Sequence, residues 1–346
     1  MSRLAIVGAG ASGLAAAWAL RDSDIECTVF EKSRGFSGRA ATRGRNGVRY
    51  DHGANYIRIE SSEVRAVLHD ALPTDELVEV EGDVWTFDEF GVIEPGDADS
   101  NRAPKWTYRS GISTLGKLLV DQASAKVQRQ TRIERLHRDS SGWHVEDMEG
   151  ATDGPFDFVL LTPPAPQSRD IVAASAWMSA TKETVESALA AADYQSQFTV
   201  VLACSAPVER PDGCYALLNT DRAHPIAWLS FEDAKPGHVP EGQSVLIVQM
   251  APEWTARHFD AGHDALVSEV RPLVETLLET LLPPLEWTDH QRWRYALPRA
   301  AAEAETLRRG EAAGLFFAGD MLVGKGRVGR ALQTGLDVAD RIQSQV

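Results

Sequence analysis

Three glycines, Gly8, Gly10 and Gly13, follow the short apolar run Leu4-Ala5-Ile6-Val7 and lead directly into Leu14-Ala15-Ala16-Ala17-Trp18-Ala19-Leu20. No other feature restricts the fold as strongly. The apolar run reads as a buried strand, and the alanine- and leucine-rich run as a helix. Gly8 permits a tight turn, Gly10 lets the backbone approach a pyrophosphate, and Gly13 lets the helix pack close to the strand. With Ala9, Ala11 and Ser12 they form a turn whose free N–H groups, at the positive end of a helix dipole, attract phosphate. A second strand, Cys27-Thr28-Val29-Phe30, ends in Glu31. A carboxylate there can accept both hydroxyls of an adenosine ribose and repels a 2′-phosphate. Strand, helix and acid all stand where a dinucleotide needs them.

With 346 residues the chain exceeds one simple core, which predicts two domains or one elaborate α/β unit. Its net charge of −15 argues against nucleic acid or an anionic membrane as a partner. No apolar run approaches the roughly 18 residues of a membrane span, and the N-terminus has no signal-peptide pattern. A cytoplasmic protein with a small-molecule substrate is the expectation, and the oligomeric state stays open. Cys27, Cys204 and Cys214 are too few and scattered for a disulfide framework. No His/Cys cluster has metal-ligand spacing, so no metal is expected. No Ser/His/Asp order calls for hydrolysis.

Beyond Glu31 a simple dehydrogenase would continue to another helix and parallel strand. This chain instead has a basic loop, Lys32 to Arg43, in which Arg39 can reach a diphosphate as a bidentate donor. Near the other end, Gly314 to Asp320 reads as a buried strand closing in Gly319-Asp320, and a helix starts at Val328-Gly329. The loop resembles the GRxxT segment of flavoproteins of the amine-oxidase group, and the C-terminal run resembles their late FAD motif. The group usually has two glycines before the arginine; here Ser37-Gly38 stands instead, which puts the loop's path in question. The resemblance implies a resident, non-covalent FAD. Asp320 would meet the ribityl chain or pyrophosphate, and the Val328-Gly329 helix end would face the flavin N1–C2=O edge, where a positive dipole end stabilises negative charge. Val127 to Leu136 alternates as a strand, and Ile133 lies where the group supplies a backbone contact to adenine. Phe156 to Ala165, containing Thr162, resembles the strand and Pro-rich exit that return near the dinucleotide. Lys32 and Thr162 join the expected cofactor contacts.

Across nearly the whole length the order of motifs resembles renalase and its bacterial relatives. The matching runs are Phe30-Glu31-Lys32, Gly38 to Thr42, Asp51 to Ile57, Ser110 to Leu115, Phe156 to Pro166, Trp228-Leu229-Ser230-Phe231 and Arg292 to Ala296. The fold implied is α/β: a Rossmann-like FAD-binding domain with a second, mixed-sheet substrate domain, as in amine oxidases and p-hydroxybenzoate hydroxylase. Residues 1–60, 105–165 and 295–346 would form the first, discontinuous domain. Residues 61–104 and 166–294 would form the second, with strands near 198–203, 225–230 and 244–250, a helix over 263–282, and a polar loop over 91–103. The activity implied is an oxidase that takes hydride from 2- or 6-dihydro isomers of NAD(P)H and passes the electrons to O2, giving hydrogen peroxide. A dihydropyridine already holds a mobile hydride, so such a site must stack a ring and exclude water. Tyr56, Trp228, Gln249, Trp293 and Tyr295 are the candidate walls, with Tyr56 and Asn55 also at the flavin. Each aromatic alone could equally be core packing. Arg294 could bind an anionic substrate or pair with an acid.

Two departures bear on the substrate: Asn55 stands where renalases usually have Gln, and Gln249 near a position where they can carry His. No lysine matches the flavin-bridging lysine of many polyamine oxidases. Other readings are a flavin amine oxidase or polyprenoid desaturase, a non-catalytic FAD-binding redox sensor, and a nicotinamide-dependent dehydrogenase.

Overall fold

The glycine turn sits at the centre of a five-stranded parallel sheet. The structure is a computed structural model that describes residues 1–72, 74–177 and 180–346. From one edge the strands run Leu315–Phe317, Phe158–Leu161, Ser2–Val7, Ile25–Glu31 and Lys126–Arg129, all parallel. Leu315–Phe317, Phe158–Leu161 and the Leu4–Val7 stretch are apolar on both faces because both faces are covered. On one face lie the helices Ala11–Ala19, Thr114–Gln122 and Val328–Gln343, in one core with Leu4, Ile6, Leu160 and Phe316. A side-chain carbon at Gly335 would fall 2.1 Å from the Ser12 carbonyl oxygen, so the last helix packs backbone to backbone on the first. The other face carries an antiparallel three-stranded sheet, Ile133–Asp139, Gly142–Asp147 and Thr152–Phe156. The helices Ala165–Ala174 and Ala180–Ala190 share that core through Ile171, Val172, Val185 and Leu189.

A second, seven-stranded sheet has the order Leu285–Ala300, Asp193–Cys204, Ser244–Met250, Ile226–Phe231, Cys214–Asn219, Asp83–Phe87 and Ile93–Glu94. Alternation assigns its faces. Leu246, Val248 and Met250 pack with the helix His263–Leu277, whereas Val245 and Ile247 pack with Val48 and Tyr50. Gln249 belongs by register to the second face. A register shift between Ile226 and Trp228 brings Trp228 and Ser230 to that same face, turned toward the glycine-turn unit.

Local chemistry explains where the observed elements differ from the expected ones. The strand expected over 127–136 is two strands, because Gln130 takes a φ of 57° between them. The helix expected over 263–282 stops at Leu277. The polar loop expected over 91–103 holds a short strand, Ile93–Glu94, and a helical turn, Ala98–Arg102. Asp97 caps that turn by accepting the Ser100 N–H at 2.7 Å, and Asn101 brackets the Val84 backbone with two hydrogen bonds. Among the described residues no helix is long and apolar enough to cross a membrane.

Candidate functional site

The glycine turn divides its work among its residues. Gly8 has a φ of +103°, and a side-chain carbon there would fall 2.5 Å from Thr162 Oγ1. That hydroxyl donates to the carbonyls of Val7, at 2.8 Å, and Gly8, at 3.2 Å, so Thr162 fixes the turn from beneath. At Gly13 the added carbon would lie 2.2 Å from the Gly8 oxygen, which shows how closely the helix approaches the strand. At Gly10 it would meet nothing within 4 Å. Gly10 precedes a helix start with no side-chain cap, so free N–H groups of Ala11–Ala19 face open space. Glu31 is buried and already occupied: one oxygen accepts the Ala9 N–H at 2.8 Å, the other the Ser33 N–H at 2.7 Å. It therefore pins the turn even without a ribose, a role the sequence did not reveal. Ile133 packs in one core with Phe30, next to Glu31. Lys32 is exposed, with Nζ 3.5 Å from Gln167 Oε1.

Arg39 ties the two ends of the chain together. Its Nη2 meets Asp320 Oδ1 at 2.7 Å, and its Nη1 donates to the carbonyls of Tyr295 and Ala296. Tyr194 completes the group, donating its hydroxyl to Asp320 at 2.8 Å. Gly319, with a φ of 127°, donates its N–H to Thr334 on the C-terminal helix. At Gly329 an added carbon would fall 2.4 Å from the Arg58 oxygen, which brings the start of that helix beside the Asn55–Arg58 stretch. Ser37 does adopt a left-handed conformation, φ 74°, and its hydroxyl holds that bend by accepting the Gly116 N–H and donating to the Ser113 carbonyl.

The half-buried segment Gly53 to Tyr56 forms a floor facing the seven-stranded sheet. Gln249 Nε2 donates to the Gly53 carbonyl at 2.7 Å, and Ser230 Oγ to Asn55 Oδ1 at 3.1 Å. Tyr56 lies within ring contact of Trp228 and Tyr215. Trp293 donates to the His52 carbonyl at 3.0 Å and stacks on its ring. Four of the five candidate wall residues thus meet around this floor. Tyr295 lies apart, edge-on to Tyr194 beside Arg39 and Asp320. Arg294 lies over Phe259, outside the chamber contacts. His52, Tyr194 and Tyr215 were not singled out as site residues from sequence; only tertiary contact brings them in. Burial, with Arg43 nearby, pushes the His52 pKa down to about 4, so its ring is neutral at neutral pH.

Under the floor lies a fully buried charged group. Lys235 Nζ is 2.8 Å from Asp51 Oδ2 and 3.1 Å from Glu232 Oε1. His238 Nδ1 is 2.7 Å from the same Glu232 oxygen, and its Nε2 is 2.8 Å from the Tyr108 carbonyl. Burial would push the Asp51 carboxyl up, but Lys235 and then His238 outweigh it and hold it below its ordinary value. The Lys235 ammonium stands between the carboxylates as the cation.

Comparison with known proteins adds to this geometry. Residues 82–343 match the family model described as flavin containing amine oxidoreductase, and residues 6–71 one described as NAD(P)-binding Rossmann-like domain. Protoporphyrinogen oxidase 2, chloroplastic/mitochondrial, from Arabidopsis thaliana is 41% identical over 68 residues, 20% of this chain and only 13% of that protein's length. Among solved structures, reduced UDP-galactopyranose mutase superposes with a TM-score of 0.79 at 12% identity, covering 100% of this chain and 96% of that one. Cyclohexylamine oxidase from Brevibacterium oxydans IH-35A gives 0.75 at 15% identity, covering 99% of each. At such identities the structures share the fold. FAD fits the residues present: a side-chain carbon at Gly10 would meet nothing within 4 Å, leaving the uncapped helix start open to a pyrophosphate, and Glu31 lies at the end of the adjacent strand.

Proposed function

From the premise that this chain belongs to the family of flavin containing amine oxidoreductases and is an FAD-dependent oxidoreductase, we propose that it oxidises the 2- or 6-dihydro isomers of NAD(P)H. The donor loses a hydride and leaves as NAD(P)⁺; O2 takes the two electrons with two protons and leaves as hydrogen peroxide. Bound FAD supplies the electron acceptor that links these halves. The observation that carries the reading is the set of groups facing the floor. Around Gly53 to Tyr56 stand the rings of Tyr56 and Trp228 and the amides of Asn55 and Gln249. Such groups suit a flat, neutral ring bearing a carboxamide.

In this proposal Gln249 holds the floor level through Gly53, Tyr56 and Trp228 confine the donor ring and exclude water, and Asn55 offers its amide nitrogen to a substrate oxygen. Tyr295 acts behind them by fixing Arg39. Gly8 to Gly13, Glu31, Lys32, Arg39, Ile133, Thr162, Gly319, Asp320 and the Val328-Gly329 helix end would hold the cofactor. The domain division belongs to the proposal as well, with one change. The helices Ala165–Ala174 and Ala180–Ala190 pack on the parallel sheet, which supports placing them in the cofactor unit.

The test is anaerobic mixing of the yellow holoprotein with the isomers made by borohydride reduction of NAD. Rapid bleaching of the visible band by the 2- or 6-isomer, with little by ordinary NADH, is expected. Bleaching by amines and not by these isomers would overturn the substrate assignment.

A further inference from the structure

The buried group beneath the floor has no part in the reaction just described, yet it joins Thr42 of the loop after Arg39, Asp51 ahead of the floor and Glu232 at the end of a sheet strand. Asp51 is fully buried and its carboxylate is held four times: by Thr42 Oγ1 at 2.7 Å, Lys235 at 2.8 Å, the Ile112 N–H at 3.0 Å and Thr107 Oγ1 at 3.3 Å. Its own N–H donates to Glu232 Oε1 at 2.8 Å. Thr42 is three residues beyond Arg39. Asp51 stands two residues before the floor. Glu232 is two residues beyond Ser230, which holds Asn55. The four groups therefore join the Arg39 loop, the floor and the corner of the seven-stranded sheet in one place that water does not reach.

The proton accounting shows how tightly this joint is closed. Tyr108 presents only a carbonyl to His238 Nε2, so that nitrogen carries a hydrogen. The other ring nitrogen faces a carboxylate already accepting from Asp51 and Lys235. Burial would lower the His238 pKa, but Glu232 outweighs it and raises it. With His238 as imidazolium, two cations balance two carboxylates and the group is neutral. The groups facing His238 are Glu232, Asp51 and Lys235, all fully buried, with Tyr215 a further neighbour of Lys235. An uncompensated charge here would be costly.

We propose that Lys235 and His238 are positioning residues for the flavin site: through Asp51 and Glu232 they fix His52, the floor Gly53 to Tyr56 and the Arg39 loop against the sheet, and so set FAD affinity without touching FAD. The inference rests on FAD binding and is independent of which donor is oxidised.

The full-length protein, stripped of FAD and titrated back, tests it through flavin fluorescence and through amide hydrogen exchange over residues 51–56. The double variant D51N/K235M removes one charge of each sign, leaves the group neutral and keeps an acceptor for Thr42 and Ile112. E232Q/H238Q likewise removes one charge of each sign and carries the test if the first double variant does not fold. In each, the FAD dissociation constant is expected to rise at least tenfold, with faster exchange confined to the floor and the visible flavin band altered. A purely structural role would lower the melting temperature and leave these readouts alone. FAD affinity within twofold of native and unchanged exchange over the floor, in a folded variant, would overturn the proposal.

Discussion

A carbon added at Gly10 would meet nothing within 4 Å, while one at Gly13 would fall 2.2 Å from the Gly8 oxygen. Gly10 has a φ of −79°, open to any residue, and in the proposed cofactor site its smallness serves a ligand rather than the fold. The Gly10→Ala protein without cofactor is expected to lose at most about 1 kcal/mol, the cost of alanine at a helix cap, yet to lose most of its FAD affinity. Gly13→Ala should fail at the level of folding. Chemical denaturation and FAD titration of both proteins separate the two roles. Ser37 is the opposite case, a side chain in a backbone conformation that favours glycine. Left-handed backbone costs it roughly 1 kcal/mol, offset by the two hydrogen bonds of its hydroxyl. Ser37→Ala keeps the strain and leaves a buried N–H unpaired, so a loss of about 2 kcal/mol is expected. Ser37→Gly relieves the strain and should lose less. Urea midpoints in the order native, glycine, alanine would bear this out; alanine above glycine would refute it.

At the scale of elements, the strand Ser244–Met250 is apolar except at its rim. Gln249 breaks the pattern, and its amide nitrogen holds the Gly53 carbonyl of a segment 196 positions away in sequence. Gln249→Leu leaves that carbonyl without its donor, at an expected cost of about 1 kcal/mol. The larger effect should fall on the floor: visible flavin absorption and donor binding change while the melt stays cooperative. An unaltered flavin spectrum would show that the floor does not need this strand. The helical turn Ala98–Arg102 makes the complementary case. Five residues cannot form a stable helix alone, and this turn stands because Asp97 caps it and Asn101 grips Val84. Asp97→Ala should raise amide exchange over 97–102 and not at the floor.

For the whole molecule, two buried histidines where the units meet titrate in opposite senses. His52, between floor and sheet, has its pKa pushed down to about 4 by burial. The unfolded chain takes up this proton near pH 6.5, so the folded state loses stability as pH falls from there toward 4, by up to about 3 kcal/mol. His238 is raised by Glu232, so its contribution is complete below pH 6.5 and is lost as pH climbs through its folded value. Stability should therefore fall on both sides of a maximum. His52→Phe, which keeps a ring against Trp293, should flatten the acid side alone. Urea midpoints from pH 7 to 4.5 for both proteins measure this; parallel curves would exclude His52 as the cause.

The amino-acid order was enough to place the strand–turn–helix at the start, the strand and helix at the end, and hence a nucleotide-binding unit built from both. Those signals are local: a glycine's missing carbon, an apolar run and an acid at a strand end act over a few residues and can be read in order. Resemblance to renalases offered Tyr56, Trp228, Gln249, Trp293 and Tyr295 as walls, and Gln249 also stands out because it interrupts an apolar strand. Only the tertiary structure decided that the first four meet over Gly53 to Tyr56 while Tyr295 sits behind Arg39. It alone showed that Glu31 pins its own turn and that Asp51, Glu232, Lys235 and His238 close into one buried group. Asp51 and Lys235 are 184 residues apart in sequence, and no periodicity marks them. Their pairing follows from burial: once two sheets close over them, charges that water would have screened must find one another.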